Sequence, residues 1–161
     1  MRNGILASAL LFTALGLVLT FTPRRDWPTS AIALLAGLGA AGVLPYPRNW
    51  PEGAFLGCWI SVSATGAMVY LGRGLAPLAL MATSLNAGFW GTTASAASGS
   101  KLEVLQALPC VLIFLPAAWL AARFGPLPIR VVSSWVIVIA VLAATLQMLP
   151  VTPGYLPDHL E

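Results

Sequence analysis

From Met1 to its closing acidic tail, the chain is divided into about six stretches of roughly seventeen or more apolar residues, with nearly every charge in the short turns between them. A Lys, Arg or Asp at the centre of a membrane-spanning helix costs roughly 2.5–3.5 kcal/mol on insertion scales. Charges confined to turns are therefore the pattern that bilayer insertion selects. Hydrocarbon about 30 Å thick takes some twenty helical residues to cross. Six crossings consume nearly all of the 161 residues and leave no room for a domain outside the membrane.

The expected fold is an all-α, polytopic transmembrane helical bundle, with a single domain over residues 1–149 and a short polar tail over 150–161. The spans are expected near 3–22, 29–45, 54–72, 75–97, 103–122 and 129–149. Proline marks several boundaries: Pro23 and Pro28 bracket the first turn, and Pro45, Pro47 and Pro51 the second, where each restricts the residue before it. The first apolar segment, Gly4 to Phe21, is long for a signal peptide. It lacks a small-x-small cleavage site and is followed by Arg24-Arg25, so it reads as a retained span.

Only 8% of the residues are charged and 58% are hydrophobic, whereas soluble domains carry about 25% charged residues. A water-soluble fold is excluded. The net charge of +3 does not indicate nucleic acid, because the eight basic residues are scattered among different turns rather than gathered in a stripe. They serve orientation better. Arg24, Arg25, Arg73, Arg123 and Arg130 fall on one side, and Arg2, Arg48 and Lys101 on the other, a five-to-three excess for cytoplasmic first, third and fifth turns. In a bacterial-type inner membrane both termini would then face away from the cytoplasm.

No span carries the nucleophile with a His or Asp partner that intramembrane hydrolysis requires, or a cluster of metal ligands, so neither an enzyme nor a cofactor is expected. Cys58 and Cys110 lie in apolar surroundings, where free Cys behaves as a small hydrophobe. His159 falls in the tail, where a solvated side chain is the default.

Chemistry, if any, concentrates in the third and fourth spans. Gly53, Gly57, Ser61 and Thr65 recur every four residues on the third, and Ser84, Gly88, Thr92, Ala96 and Ser100 on the fourth. Small residues at that spacing let helix backbones approach closely, so these two spans are expected to pack on each other or on a partner. A weaker stripe, Ala33, Gly37 and Ala41, marks the second span. Packing alone does not call for the polarity of Ser61, Ser63, Thr65, Thr83, Ser84, Asn86, Thr92, Thr93 and Ser95. Each hydroxyl can return its bond to the carbonyl four residues earlier. Asn86, which both donates and accepts, must find another helix, water or a ligand. In the fifth span, Pro109 and Pro116 stand seven residues apart and each removes a backbone bond, so a kinked helix is expected beside that pair.

The leading expectation is a small transporter- or channel-like protein. It would move a neutral or weakly charged solute through a site between spans three, four and five, with Asn86, Ser61, Thr65, Thr83 and Ser84 as substrate-binding residues. Its surroundings would be membrane lipids, and a subunit so small would work as a homo-oligomer or beside a partner membrane subunit. The alternative is a non-transporting subunit that scaffolds or stabilises a larger membrane complex through its small-residue faces.

Overall fold

The computed structural model describes residues 4–43, 50–71, 75–99 and 103–148, and the regular secondary structure in them is helical. The helices are α1 (Gly4–Leu19), α2 (Trp27–Val43), α3 (Pro51–Met68), α4 (Pro77–Ala97), α5 (Glu103–Ala107), α6 (Phe114–Phe124) and α7 (Leu127–Met148), with 3-10 turns at Arg24–Asp26, Val69–Leu71 and Leu108–Ile113. Arg2, Arg48, Arg73, Ser100, Lys101 and the tail with His159 lie outside the described residues.

Local chemistry explains the boundaries. Pro51 and Pro77 open α3 and α4, where a missing N–H removes nothing the helix would use. Pro109 cannot donate within the fifth apolar stretch, which passes from α5 through the 3-10 segment Leu108–Ile113 into α6. Pro116 falls in the first turn of α6, among the donors that lack an intrahelical acceptor anyway. Gly125 ends α6 with φ near +78°, a conformation that L side chains rarely adopt, and α7 begins two residues later.

Three helical stretches are long and apolar enough to cross a membrane: Pro51–Leu71, Glu103–Phe124 and Leu127–Met148. This agrees with a membrane location. Helix α1 is apolar but shorter, α2 has 17 residues, and α4, with 21, is made more polar by its hydroxyls and Asn86.

Successive long helices alternate in direction. Ser8 near the start of α1 meets Ser95 near the end of α4. Tyr70, just past α3, donates its hydroxyl to Arg130 O near the start of α7 at 2.8 Å. At the opposite end, Glu52 and Leu56 of α3 share a cavity with Gln147 and Met148 of α7. By contrast, α2 and α4 run parallel, Ser30 facing Ser84 and Gly37 facing Leu85 and Phe89.

The core is built around α1, where eleven of sixteen residues are buried, among them Leu11, Phe12, Leu15 and Val18. A helix that is apolar all round is suited to that central position. It packs on α3, α4, α5, α6, α7 and the 3-10 segment. In α6 the one buried residue is Ala117, while α7 turns Ile129, Ser133, Val136 and Ala140 inward and leaves Trp135, Val138 and Leu142 exposed.

Candidate functional site

The most polar part of the interior lies on α4, and its side chains reach three different helices. On the α3 side, Asn86 Nδ2 donates to Ser61 Oγ at 3.0 Å. One turn nearer the start of α4, Thr83 Oγ1 lies 2.7 Å from Ala79 O of its own helix and 3.3 Å from Met68 Sδ of α3. Its single proton serves the carbonyl better, since sulfur is a weak acceptor. Thr65, one turn beyond Ser61 on α3, is 1% exposed.

Ser84 points elsewhere. Its hydroxyl lies 2.6 Å from Ser30 Oγ of α2, and both are buried. The expected fourth-span stripe continues on that side: a Cβ added at Gly88 would meet Leu34 O, and one added at Gly37 would meet Leu85 O. The closest helix–helix approach involving the stripe is therefore between α2 and α4, with Ala33, Gly37 and Ala41 on the facing side, all buried. The packing of α3 on α4 rests on other atoms. At Gly57 an added Cβ would enter the Trp90 ring, and Asn86 crosses to Ser61.

A third contact joins α4 to α1. Ser8 Oγ donates to Gly91 O at 2.8 Å and lies 2.9 Å from Ser95 Oγ, while Gly91 itself faces the Phe12 ring. Next to it, Ser98 Oγ is within 2.7 Å of Ser95 O and 2.6 Å of Glu103 Oε2, so the start of α5 is tied to the same end of α4. On the other side of the molecule, Ser133 of α7 donates to Gly66 O of α3 at 2.8 Å. Three further hydroxyls of the pair bond within their own helices: Ser63 to Trp59 O, Thr92 to Gly88 O, and Thr93 to Phe89 O and Trp90 O.

Of the five residues expected to bind a substrate, Asn86 and Ser61 are joined directly and Thr83 reaches the same helix pair. Thr65 is buried on α3, and Ser84 belongs to the α2 contact. The fifth stretch does not close over them. Its 3-10 segment and α5 pack on α1, and a Cβ added at Gly16 of α1 would collide with Val111 O.

The cavities lined by described residues include four of about 190–280 Å³, whose walls are formed by residues other than these five. One, of about 270 Å³, sits between α1, α6 and α7; another, of about 220 Å³, lies between α1, α2 and the 3-10 segment with Trp27 and Phe114 at its wall. Ser8, Ser30 and Ser133, the partners that complete the interhelical contacts, were not expected. Each is a serine in an otherwise apolar stretch, and two of them extend small-residue rows, Gly4-Ser8 and Ser30-Ala33-Gly37. That spacing is the signal that would have found them. Comparison of the chain with protein families, with curated proteins and with solved structures gave no match.

Proposed function

We propose that this chain is a six-span integral protein of a bacterial-type inner membrane, working as a non-transporting subunit that stabilises a larger membrane complex. The observation that carries the reading is where the interior polarity goes. Asn86, Ser84, Ser8, Ser95 and Ser133 all bond to a neighbouring helix. Hydrogen bonds of this kind hold helices in register where lipid offers no partner.

Support for six spans comes from the alternation of direction, and from the 21 residues of α4, which reach about 31 Å at 1.5 Å per residue. Its low apolarity is compatible with spanning, since the polar side chains are turned toward α1, α2 and α3 and away from lipid. The outward faces of α6 and α7, with Trp119 and Trp135 exposed, suit lipid, a second copy or a partner subunit.

A second reading, a carrier for a small neutral or weakly charged solute, is favoured by one observation: Asn86, an amide within an apolar stretch, is only partly buried. Reconstitution of the purified chain into vesicles decides between the two. The scaffold reading expects no solute flux and co-purification of an unrelated membrane subunit at fixed stoichiometry. Flux from the chain alone that Asn86→Leu abolishes would replace it with the carrier.

A further inference from the structure

Helices α1 and α2 follow one another through a short turn yet barely touch, because α2 packs on α4 while α1 packs on the 3-10 segment Leu108–Ile113. The gap left beside that turn is a cavity of about 220 Å³. Along α2 it runs from Trp27 to Leu34, about 10 Å at 1.5 Å per residue, against Leu15 and Leu19 of α1. Ala31 and Leu112 in its wall are exposed, Leu112 at 55%. The two polar side chains in the wall are already bonded, Trp27 Nε1 to Thr22 O at 3.3 Å and Ser30 Oγ to Ser84 Oγ at 2.6 Å. A buried water needs about two to four polar partners, so this interior suits an apolar occupant.

Trp27 also brings a charge to the cavity wall. The Arg24 guanidinium lies over its ring, 5.8 Å from the ring centre. In the same turn Arg25 is 3.6 Å from Asp26, and no carboxylate among the described residues pairs with Arg24. The wall therefore has one uncompensated cation at its turn end and apolar side chains below it, which matches an amphiphile with an anionic head and a hydrocarbon tail. Guanidinium groups bind phosphate oxygens well, and basic sites beside membrane helices suit anionic headgroups.

We propose that this cavity holds an acyl chain of an anionic phospholipid, entering between Ala31 and Leu112 and lying against Leu15, Leu19 and Leu34, with the headgroup phosphate on Arg24. The site rests on membrane residence of the chain, though not on the scaffold role.

Native mass spectrometry of the protein extracted in mild detergent tests it, with phosphatidylglycerol and phosphatidylcholine as probes. One arginine near the headgroup is worth about fivefold in affinity, so wild-type protein should retain phosphatidylglycerol about fivefold more tightly than phosphatidylcholine. Arg24→Gln should bring the two lipids to equal retention. Asp26→Asn releases Arg25 from its pair and should raise the preference by about another fivefold, a gain that a purely structural role of this turn would not produce. Ala31→Phe, which fills the cavity from its wall, should weaken both lipids, and excess inorganic phosphate should leave the bound lipid in place.

Equal retention of both lipids by wild type, an undiminished preference in Arg24→Gln, no gain in Asp26→Asn, or full retention by Ala31→Phe overturns the site. So does complete displacement by inorganic phosphate, which would mark a simple anion site, and so does a dimer mass without lipid, which would make a second copy the occupant. Cell fractionation separates the two levels. A chain found in the membrane that holds no anionic lipid refutes the site alone, and a chain found in the soluble fraction refutes the membrane reading beneath it.

Discussion

Asn86 donates its amide proton to Ser61 Oγ across 3.0 Å, joining α4 to α3 at a level where both helices are otherwise lined by small residues. Interhelical polar bonds in membranes average only about 0.6 kcal/mol in mutant cycles, with a maximum near 1.7. Asn86→Leu and Ser61→Ala should each cost about that much in unfolding by denaturing detergent. The double variant should cost little more than either single one, because each removes the same bond. Strictly additive costs would mean that Asn86 and Ser61 act on different partners.

Glycines on one helix should differ sharply in tolerance. Gly37→Ala and Gly88→Ala place a methyl against backbone carbonyls of the facing helix, Leu85 O and Leu34 O, which cannot swing aside. Overpacking of this kind costs roughly 1–3 kcal/mol. Gly39, two residues from Gly37, has no neighbour within 4 Å of an added Cβ. Gly39→Ala should be neutral or stabilise by up to about 1 kcal/mol, since alanine is the better helix former. Thermal stability of the three purified variants checks the contrast, and equal behaviour would mean that α2 and α4 do not approach through these residues.

How much of this was readable beforehand depended on the kind of signal. An amide inside an apolar stretch must find a partner, so Asn86 could be singled out from sequence, and Ser61 lay on a neighbouring small-residue row. Pro109 likewise announced a break in the fifth stretch, which the structure takes up as a 3-10 segment. The facing helix was not readable. A row such as Ser84-Gly88 says that a backbone comes close, yet nothing in its period names α2 over α3. Nor could α1 be recognised as the centre, because lipid and protein interior are equally apolar and both accept Leu11, Leu15 and Val18. The serines that settle the arrangement each contribute one hydroxyl, which sequence alone lets return to its own helix.

Two adjacent serines on α7 test the same distinction. Ser133 is fully buried and donates to Gly66 O of α3, whereas Ser134 donates to Val131 O of its own helix at 2.7 Å on an exposed face. Ser133→Ala should therefore lower stability by about 0.6 kcal/mol, and Ser134→Ala should leave it unchanged. Ser133→Leu should be worse than Ser133→Ala, by roughly 1–3 kcal/mol of overpacking against Gly66. If Ser134→Ala proved the more damaging of the two alanine variants, α7 would have to be rotated relative to α3.

Orientation is the last expectation, and the placement of charge makes it sharp. Arg24 and Arg25 follow α1, Arg123 ends α6, and Arg130 lies at the start of α7 within reach of Tyr70, so these four belong to one end of the molecule. The sequence expectation adds Arg73 of the third turn, which lies outside the described residues, for five basic residues against three. Lys and Arg are retained on the cytoplasmic side, so the expected orientation has both termini outside. A C-terminal alkaline phosphatase fusion should be active and a C-terminal GFP fusion dark. The excess is small enough to erase: Arg24→Gln with Arg25→Gln removes two of the five and leaves three against three, so that variant should insert in both orientations and give intermediate signals from both reporters. An inactive phosphatase fusion paired with a fluorescent GFP fusion in the parent chain would reverse the orientation.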